Sequence, residues 1–461
     1  MSVARRLISS FGATILGSVV TVLVQLINVP VMLRFWGPEL YGEWLVLSAI
    51  PTYLLLTDMG FGNVAGSDMT IRVNADDREG AVETFQSTMA LVLLSTAAIA
   101  VLLAVFFLLV PIHRALHLTA LSPAEARNTL ALLSVNCLVM LQWSVIGSGY
   151  RCSGRYALCM LYVNCIRIVE GASFFVLLFS RARPPQLAAV MLVVSLLGTA
   201  WMVFQHRRRI PWLPFGFRFA RKARIRKLAR PAFAFMAFPT CAAIGNQGMT
   251  LVIGLMLGPI AVAVFNPMRT LSRIALQLTD AIKNSIWPEL SAAFGRKDWD
   301  LARRLHRSAF QLSMLLATVT LVLLAIAGPR IFVLWTHGQL HFDLATFDIL
   351  LLAGLANSIW NASSSVALSL NRHERMSMLY LAFSVASIVM ACFLLPRVGL
   401  RGAAIAMFFS DACMSLVVVQ ISNRLLSDPL PTFLRACFDF TQFKFFFGRI
   451  IGQRFSPASR S

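Results

Sequence analysis

Apolar residues fall along this chain in runs of about twenty, as at 11–33, 41–62, 86–110 and 186–204, with short polar stretches between them. A helix rising 1.5 Å per residue crosses a hydrocarbon layer of roughly 30 Å within such a run. The pattern predicts helices near 11–33, 41–62, 86–110, 128–149, 157–179, 186–205, 231–256, 260–281, 309–328, 346–370, 377–396 and 400–424. The expected fold class is all-α: a polytopic membrane bundle of about 12 transmembrane helices in two six-helix lobes around a central cavity.

An internal repeat supports the two lobes. Gly37-Pro38 stands in the turn between the first two helices, and Gly258-Pro259 stands between the seventh and eighth. Thr57-Asp58 and Thr279-Asp280 recur at nearly the same offset. Six helices per half is an even number, so both halves enter the membrane in one direction and form a parallel repeat. The expected divisions are an N-terminal lobe at 1–205, a basic cytoplasmic linker at 206–230, a C-terminal lobe at 231–424 and a basic, aromatic cytoplasmic tail at 425–461, of which about 437–450 is expected at the interface.

Polar residues inside the apolar helices follow helical spacing. The eighth helix carries Asn266, Arg269, Arg273, Gln277, Asp280 and Asn284 at steps of three and four, which places them on one face. An arginine at mid-helix costs at least about 2.5–3.5 kcal/mol to insert, so this face is expected to meet protein or water. It reads as a cavity lining, or else as half of an interhelix ion pair with Asp58 or Glu170. The first helix repeats the stripe without charge, in Thr14, Ser18, Thr21, Gln25 and Asn28, and the seventh has Asn246, Gln247 and Thr250. Such groups suit sugar hydroxyls and serve equally as glue between membrane helices. Arg167 and Glu170 at i,i+3 on the fifth helix are expected to neutralise each other beside Asn164. Arg34 is placed to line the cavity or to snorkel from the outer end of the first helix. Asn357, Asn361, Ser364 and Ser365 form a polar face on the tenth helix, and Asp411 is a buried carboxylate on the last.

Composition narrows the class. Of the 461 residues 58% are apolar and 13% charged, against about a quarter charged in soluble domains, which excludes a water-soluble enzyme. The net charge of +21 is unevenly placed: about 30 Lys and Arg fall in loops on one side and about 8 on the other. Both termini are therefore expected in the cytoplasm. Arg5 and Arg6 precede an apolar run longer than a signal h-region and without a cleavage site, so that run is read as a retained first helix. The cluster at 207–230, FRFARKARIRKLAR included, interleaves charge with Phe217, Phe219, Ile225 and Leu228. It reads as a segment lying on anionic membrane lipids, in preference to a nucleic-acid site. Eight cysteines without a CxxC pair give no metal site. His113 with His117 and His337 with His341 lack the glutamate of a zinc motif. No cofactor is expected, and an H+ or Na+ gradient is left open as the energy source.

Together LRFWGPELYGEW (33–44), YLLLTDMGFGN (53–63), GLMLGPIAVAVFNPMRTLSRI (254–274), WPELSAAFGRKD (287–298) and VGLRGAAIAMFFSD (398–411) resemble the polysaccharide flippases of the O-antigen type. These form the oligosaccharidyl-lipid branch of a superfamily that also contains multidrug exporters. The resemblance implies a non-enzymatic transporter of the bacterial inner membrane. It implies that undecaprenyl-diphosphate-linked repeat units pass from the cytoplasmic to the periplasmic leaflet for O-antigen, capsule or exopolysaccharide, with polymerase and chain-length machinery downstream. On the same ground Arg34, Arg269 and Arg273 suit the diphosphate, with Gln25, Asn28, Asn266, Gln277 and Arg167 as further substrate contacts. Asp58, Asp280, Glu170 and Asp411 are the coupling or gating candidates. Gln247 stands where many relatives carry an acidic residue. A cation-coupled multidrug exporter and a membrane glycan polymerase or ligase remain the alternatives.

Overall fold

The computed structural model describes the backbone of residues 3–58, 60–116, 118–228, 240–241, 243–370 and 374–437. Side chains are described from residue 27 onward, apart from positions that include Asp58, Asn63 and Asn284. The expected tail beyond residue 437 and the first turns of the seventh helix lie outside the described residues. Among those described there is no strand. In a bilayer this follows from the backbone itself, since each unpaired N–H or C=O in hydrocarbon costs several kcal/mol and a helix satisfies all of them locally.

The helices are α1 (Val3–Thr52), α2 (Phe61–Asn74), α3 (Arg78–Leu109), α4 (Ile112–Ala115), α5 (Pro123–Cys152), α6 (Tyr156–Phe179) and α7 (Pro184–Arg209). A π-helical turn, Ile244–Gly248, leads into α8 (Met249–Leu257). The rest are α9 (Pro259–Ser272), α10 (Ile274–Gly295), α11 (Trp299–Trp335), α12 (Leu344–Ser369), α13 (Glu374–Val398), α14 (Leu400–Leu425) and α15 (Leu430–Cys437). Eight of them, α3, α5, α6, α7, α11, α12, α13 and α14, are long and apolar enough to cross a membrane by length and composition. Each of the twelve expected helices has a counterpart among the described residues when α1 is divided at Gly37, its second part is joined with α2, α9 with α10 is counted as one interrupted helix, and the short α4 and α15 are set aside; of the seventh only the part from residue 240 is described.

The two Gly-Pro turns share an unusual backbone. Gly37 has φ 74° and ψ 174°, and Gly258 has φ 86° and ψ 172°. That region is open to glycine almost alone, and the following proline begins the next helix with its φ already set. The two turns also touch. A Cβ on Gly42 would stand 2.0 Å from the carbonyl oxygen of Pro259, so only glycine allows α1 to approach the start of α9.

Several helices extend past the apolar runs. The helix expected at 309–328 runs from Trp299 to Trp335, and the one expected at 260–281 continues to Gly295. Their charged ends still bury an apolar stripe, Leu290 and Ala293 against Leu301, Ala302 and Leu305, and the helix persists wherever that stripe is covered. The second expected helix ends its first part in a 3-10 turn, Tyr53–Asp58, and restarts at Phe61 after Gly60 at φ 67°.

The chain forms two compact units, one of Met1–Ala263 with Trp335–Leu340 and one of Val264–Leu334 with His341–Ser461. Their boundary in sequence falls inside α9 at Ala263, the residue whose carbonyl loses its helical partner because Pro267 has no N–H. The first unit has a core of Met69, Phe85, Tyr150, Met202, Ile210 and Leu213. At its polar end Asp77 caps α3 through Gly80 N–H at 2.8 Å, and Arg72 pairs with both Asp77 and Asp68. The basic stretch after α7 is fastened to α3: Gln86 accepts from Phe219 N and donates to Pro214 O, Ser87 Oγ accepts from Arg221 N, and Arg224 pairs with Glu83. Phe217 and Phe219 stay exposed. In the second unit α12 packs against α10 and α14, and α13 against α14.

Candidate functional site

The second unit gathers the charged stripe into two polar nodes. Pro267 inside α9 and a break at Arg273 divide the stripe, where a straight helix was expected. At the break the backbone tightens to three-residue spacing, Arg273 N to Thr270 O at 3.3 Å and Leu276 N to Arg273 O at 3.1 Å. Asn266 and Arg269 lie before it, Asp280 after it, and Gln277 is exposed instead of joining them. The Asn284 side chain is outside the described residues.

The first node surrounds Asp411 on α14. Its Oδ1 accepts from Asn357 Nδ2 at 2.8 Å and from Trp360 Nε1 at 3.0 Å, both on α12. The Arg273 guanidinium is near enough to act electrostatically on the same carboxylate. Gly354 places α12 close to the end of α9, since a Cβ there would lie 3.1 Å from Ser272 O. One turn earlier Arg269 donates to Asn266 Oδ1 and lies 5.7 Å from the Phe265 ring centre. Both arginines are half-buried.

The second node is a closed triangle. Lys283 Nζ donates to Asp280 Oδ1 at 2.7 Å and to Asn361 Oδ1 at 2.7 Å, and Asn361 Nδ2 donates to Asp280 at 2.9 Å. Each member thus meets the other two, which fixes α10 to α12 by charge-assisted bonds. Lys283 and Trp360 were not among the expected site residues. Lys283 lies two residues past the predicted end of its helix, and Trp360, next to Asn361 on the predicted polar face, brings an indole N–H that can only donate.

The first unit holds most of the remaining candidates. Arg34 is exposed with its guanidinium 6.0 Å from the Phe35 ring centre. Asn28 is half-buried, and its Oδ1 is buried without a hydrogen-bond partner. Arg167 is the exposed charge acting on the half-buried Glu170, and Asn164 beside them is buried. Gln25 lies on α1 and Asp58 ends the 3-10 turn, with both side chains outside the described residues. Asn246 and Gln247 fall in the π-helical turn, where Asn246 O accepts from Thr250 Oγ1 at 3.1 Å. Such turns inside helices recur at functional sites. Of the two histidine pairs His117 lies outside the described residues, and no group of three metal-ligating side chains occurs among those described.

A further arrangement escaped the sequence reading. Glu43, wholly buried on α1, accepts from the backbone N–H groups of Thr119, Ala120 at 2.7 Å and Leu121 at 2.9 Å. Nearby Trp36 Nε1 donates to Ala182 O at 2.9 Å and stacks edge-on with Trp44. The motif WGPELYGEW is thereby explained: two tryptophans and a glutamate fasten the loops before α5 and α7 around the Gly37 turn.

Residues 7–294 match the profile of the family described as polysaccharide biosynthesis protein. The chain belongs to that family. No match to a curated protein accompanies it. Among solved structures this member is similar to an inward-facing multidrug resistance MATE family transporter of the MOP superfamily (TM-score 0.73, 15% identity, 88% of this chain and 94% of that one). It is also similar to the multidrug transporter DinF-BH in complex with R6G (0.68, 15%, 92% and 96%) and to an outward-facing MATE transporter (0.64, 14%, 92% and 95%). At these identities the likeness is one of fold. The polysaccharide biosynthesis family member is thus a multi-pass, all-α membrane protein that shares its fold with those transporters.

Proposed function

We propose that this protein moves a polyprenyl-diphosphate-linked oligosaccharide, of the undecaprenyl kind, from the cytoplasmic to the periplasmic leaflet of a bacterial inner membrane, by alternating access between two six-helix lobes. The observation that carries the reading is the pair Arg269 and Arg273, half-buried one turn apart at a helix break in a member of the polysaccharide biosynthesis family. A hydroxyl taken into hydrocarbon without a partner costs on the order of 4–8 kcal/mol, so a sugar headgroup needs a polar path. Guanidinium groups offer forked donors that match phosphate oxygens. Arg34 would receive the diphosphate near the headgroups, while Gln25, Asn28, Asn266, Gln277 and Arg167 supply neutral or cationic contacts along the way.

The proposed energy source is an H+ or Na+ gradient acting on Asp411. While ionised this carboxylate attracts the Arg273 guanidinium electrostatically. A proton or cation arriving there would free the guanidinium for the diphosphate, and Asp58, Asp280 and Glu170 are candidate gating groups. Polysaccharide polymerase and chain-length machinery would take the product, both termini would lie in the cytoplasm, and the basic segment after α7 would rest on anionic lipid.

The test is the doubly substituted R269A/R273A protein in cells. Loss of surface glycan with accumulated lipid-linked repeat units, at unchanged membrane levels of the protein, is the expected result; normal glycan overturns the reading. Export of organic cations is the second reading, favoured by the multidrug transporters among the similar structures. Against it, α9 and α10 carry three cations, Arg269, Arg273 and Lys283, while the two polar nodes hold two carboxylates, Asp280 and Asp411. Lowered cellular accumulation of cationic dyes with glycan unaffected would favour the exporter.

A further inference from the structure

Asp298 caps α11 through Leu301 N–H at 3.0 Å, as Asp77 caps α3, and the two aspartates stand 221 residues apart, the separation of Gly37 from Gly258. The third helix expected in each half thus starts at one point of the repeat, several residues before its apolar run. On that polar first part each half lays the segment that follows its sixth helix. In the first unit α3 takes up residues 214–224 through Glu83, Gln86 and Ser87. In the second unit α11 takes up α15. Arg307 pairs with Asp428 just ahead of α15, and Gln311 Nε2 donates to Ala436 O. Phe433, wholly buried, stacks on His306 at 5.1 Å and meets Phe310 edge-on at 5.0 Å. Both seats lie where the supporting helix enters its apolar run, at residue 86 in α3 and residue 309 in α11. Both segments are therefore held at headgroup level, beside hydrocarbon and not beyond it.

The faces of α15 divide accordingly. Successive residues of a helix are turned by about 100°. Phe433 and Ala436, the buried pair, mark the face against α11. Leu430 and Leu434 lie about 110° to one side of it and Thr432 with Arg435 about 100° to the other. All four are exposed, the leucines by 40% and 48%. A short helix fixed sideways to α11 thus carries an apolar face and a polar face on nearly opposite sides. That is the arrangement of a helix lying in the plane of a membrane surface.

We propose that α15 is such an in-plane helix, with Leu430 and Leu434 among the acyl chains of the leaflet at this end of α14 and with Thr432 and Arg435 toward water. Its partner is the lipid surface, met through acyl chains, so the contact needs no particular headgroup. The first unit has its counterpart in Phe217 and Phe219, exposed on the segment that α3 holds at the equivalent level. The inference is independent of the transported substrate and rests on the membrane placement of α11 and α14.

The experiment places the full-length protein in phosphatidylcholine nanodiscs and labels it from two sides. A diazirine on the lipid acyl chain marks what touches lipid, hydroxyl radicals mark what touches water, and mass spectrometry locates both kinds of adduct. The expected result is lipid adducts on Leu430 and Leu434 in yields similar to that of Leu416, which is exposed in the middle of α14, with oxidation by hydroxyl radicals confined to the opposite face of α15. Leucines oxidised from water and unlabelled from lipid would overturn the proposal. Protection from both reagents would also overturn it, because residues 438–461 or another protein would then be the cover. A second measurement uses L430E/L434E, at exposed positions. Losing the burial of roughly one leucine should speed hydrogen exchange in a peptide covering α15 by about tenfold. T432E/R435E, on the other exposed face, should leave exchange unchanged. Equal exchange in both variants, whether accelerated or not, would mean that the leucines meet nothing apolar and would overturn the proposal.

Discussion

Replacing Glu43 by glutamine tests the clamp on the loop before α5 at almost constant volume. The carboxylate takes Thr119 N and Ala120 N on Oε1 and Leu121 N on Oε2. A carboxamide that keeps its oxygen toward the first two must turn its NH2 toward Leu121 N–H, donor against donor. Two charge-assisted bonds become neutral ones, a loss of about 1 kcal/mol each, and one buried N–H is left unpaired at about 1–3 kcal/mol. The sum is about 3–5 kcal/mol. Solvent can reach a loop that opens, so the lower end is the better expectation. A change of about 3 kcal/mol is roughly a 150-fold change in an opening equilibrium. Hydrogen exchange followed by mass spectrometry on a peptide covering residues 118–122 should therefore speed up by roughly two orders of magnitude in E43Q. A peptide from the middle of α12 should not change. Exchange at Ala120 and Leu121 within about threefold of the natural protein would refute the claim that this carboxylate holds the loop.

Three shorter expectations follow from the same structure. G42A brings a methyl to 2.0 Å from Pro259 O, so α1 and the start of α9 must part by about 1 Å; a loss of about 1–3 kcal/mol is expected in thermal denaturation, with slower transport. D428N breaks a pair whose carboxylate is 1% exposed and should cost about 3–5 kcal/mol, while the R307M/D428L double variant, tested for melting temperature, should recover much of it. The Gly80 N–H and then the Arg72 guanidinium hold the Asp77 carboxyl below the usual carboxylate range. Its folded value being lowered, its contribution is complete above the ordinary value near about 4 and is lost as pH falls through the lowered one. Circular dichroism of D77N should lose that acid-side step, and a step retained in D77N would refute the assignment.

The apolar runs were long enough to locate nearly every helix, because hydrocarbon leaves the backbone no alternative, and the repeated Gly-Pro pair marked two turns that prove to share one backbone conformation. What periodicity could not reach was whatever depends on a third residue. The stripe from Asn266 to Asn284 assumed a straight helix, yet Pro267 and the break at Arg273 rotate its second half, leaving Gln277 exposed and Asp280 with Lys283. Asp411 was expected to be buried and is half-buried, and its donors arrive from α12, some fifty residues away in sequence. Glu43 was hidden for a related reason: its partners are main-chain N–H groups, to which no side-chain pattern points.

The same comparison bears on how the repeat is used. Thr57-Asp58 and Thr279-Asp280 are equivalent by spacing, yet the first closes a 3-10 turn and the second lies within α10, which runs unbroken to Gly295. Two copies of one string have thus acquired different backbones, and the cause is local. Gly60 at φ 67° ends the first, whereas Ala281, Ile282 and Lys283 carry the second onward as helix. Only in the second copy does the aspartate meet a lysine one turn later and an asparagine from α12. If the polar nodes serve a diphosphate, the asymmetry is a requirement, because one anionic group is best met by cations concentrated in one half. In that half α9 and α10 hold Arg269, Arg273 and Lys283 within fifteen residues, and the corresponding helix of the first half has no basic residue between Arg34 and Arg72. Moving one arginine to the first half, as in R273Q/V46R, should then fail to restore glycan export, whereas restoration would show that position within the repeat does not matter.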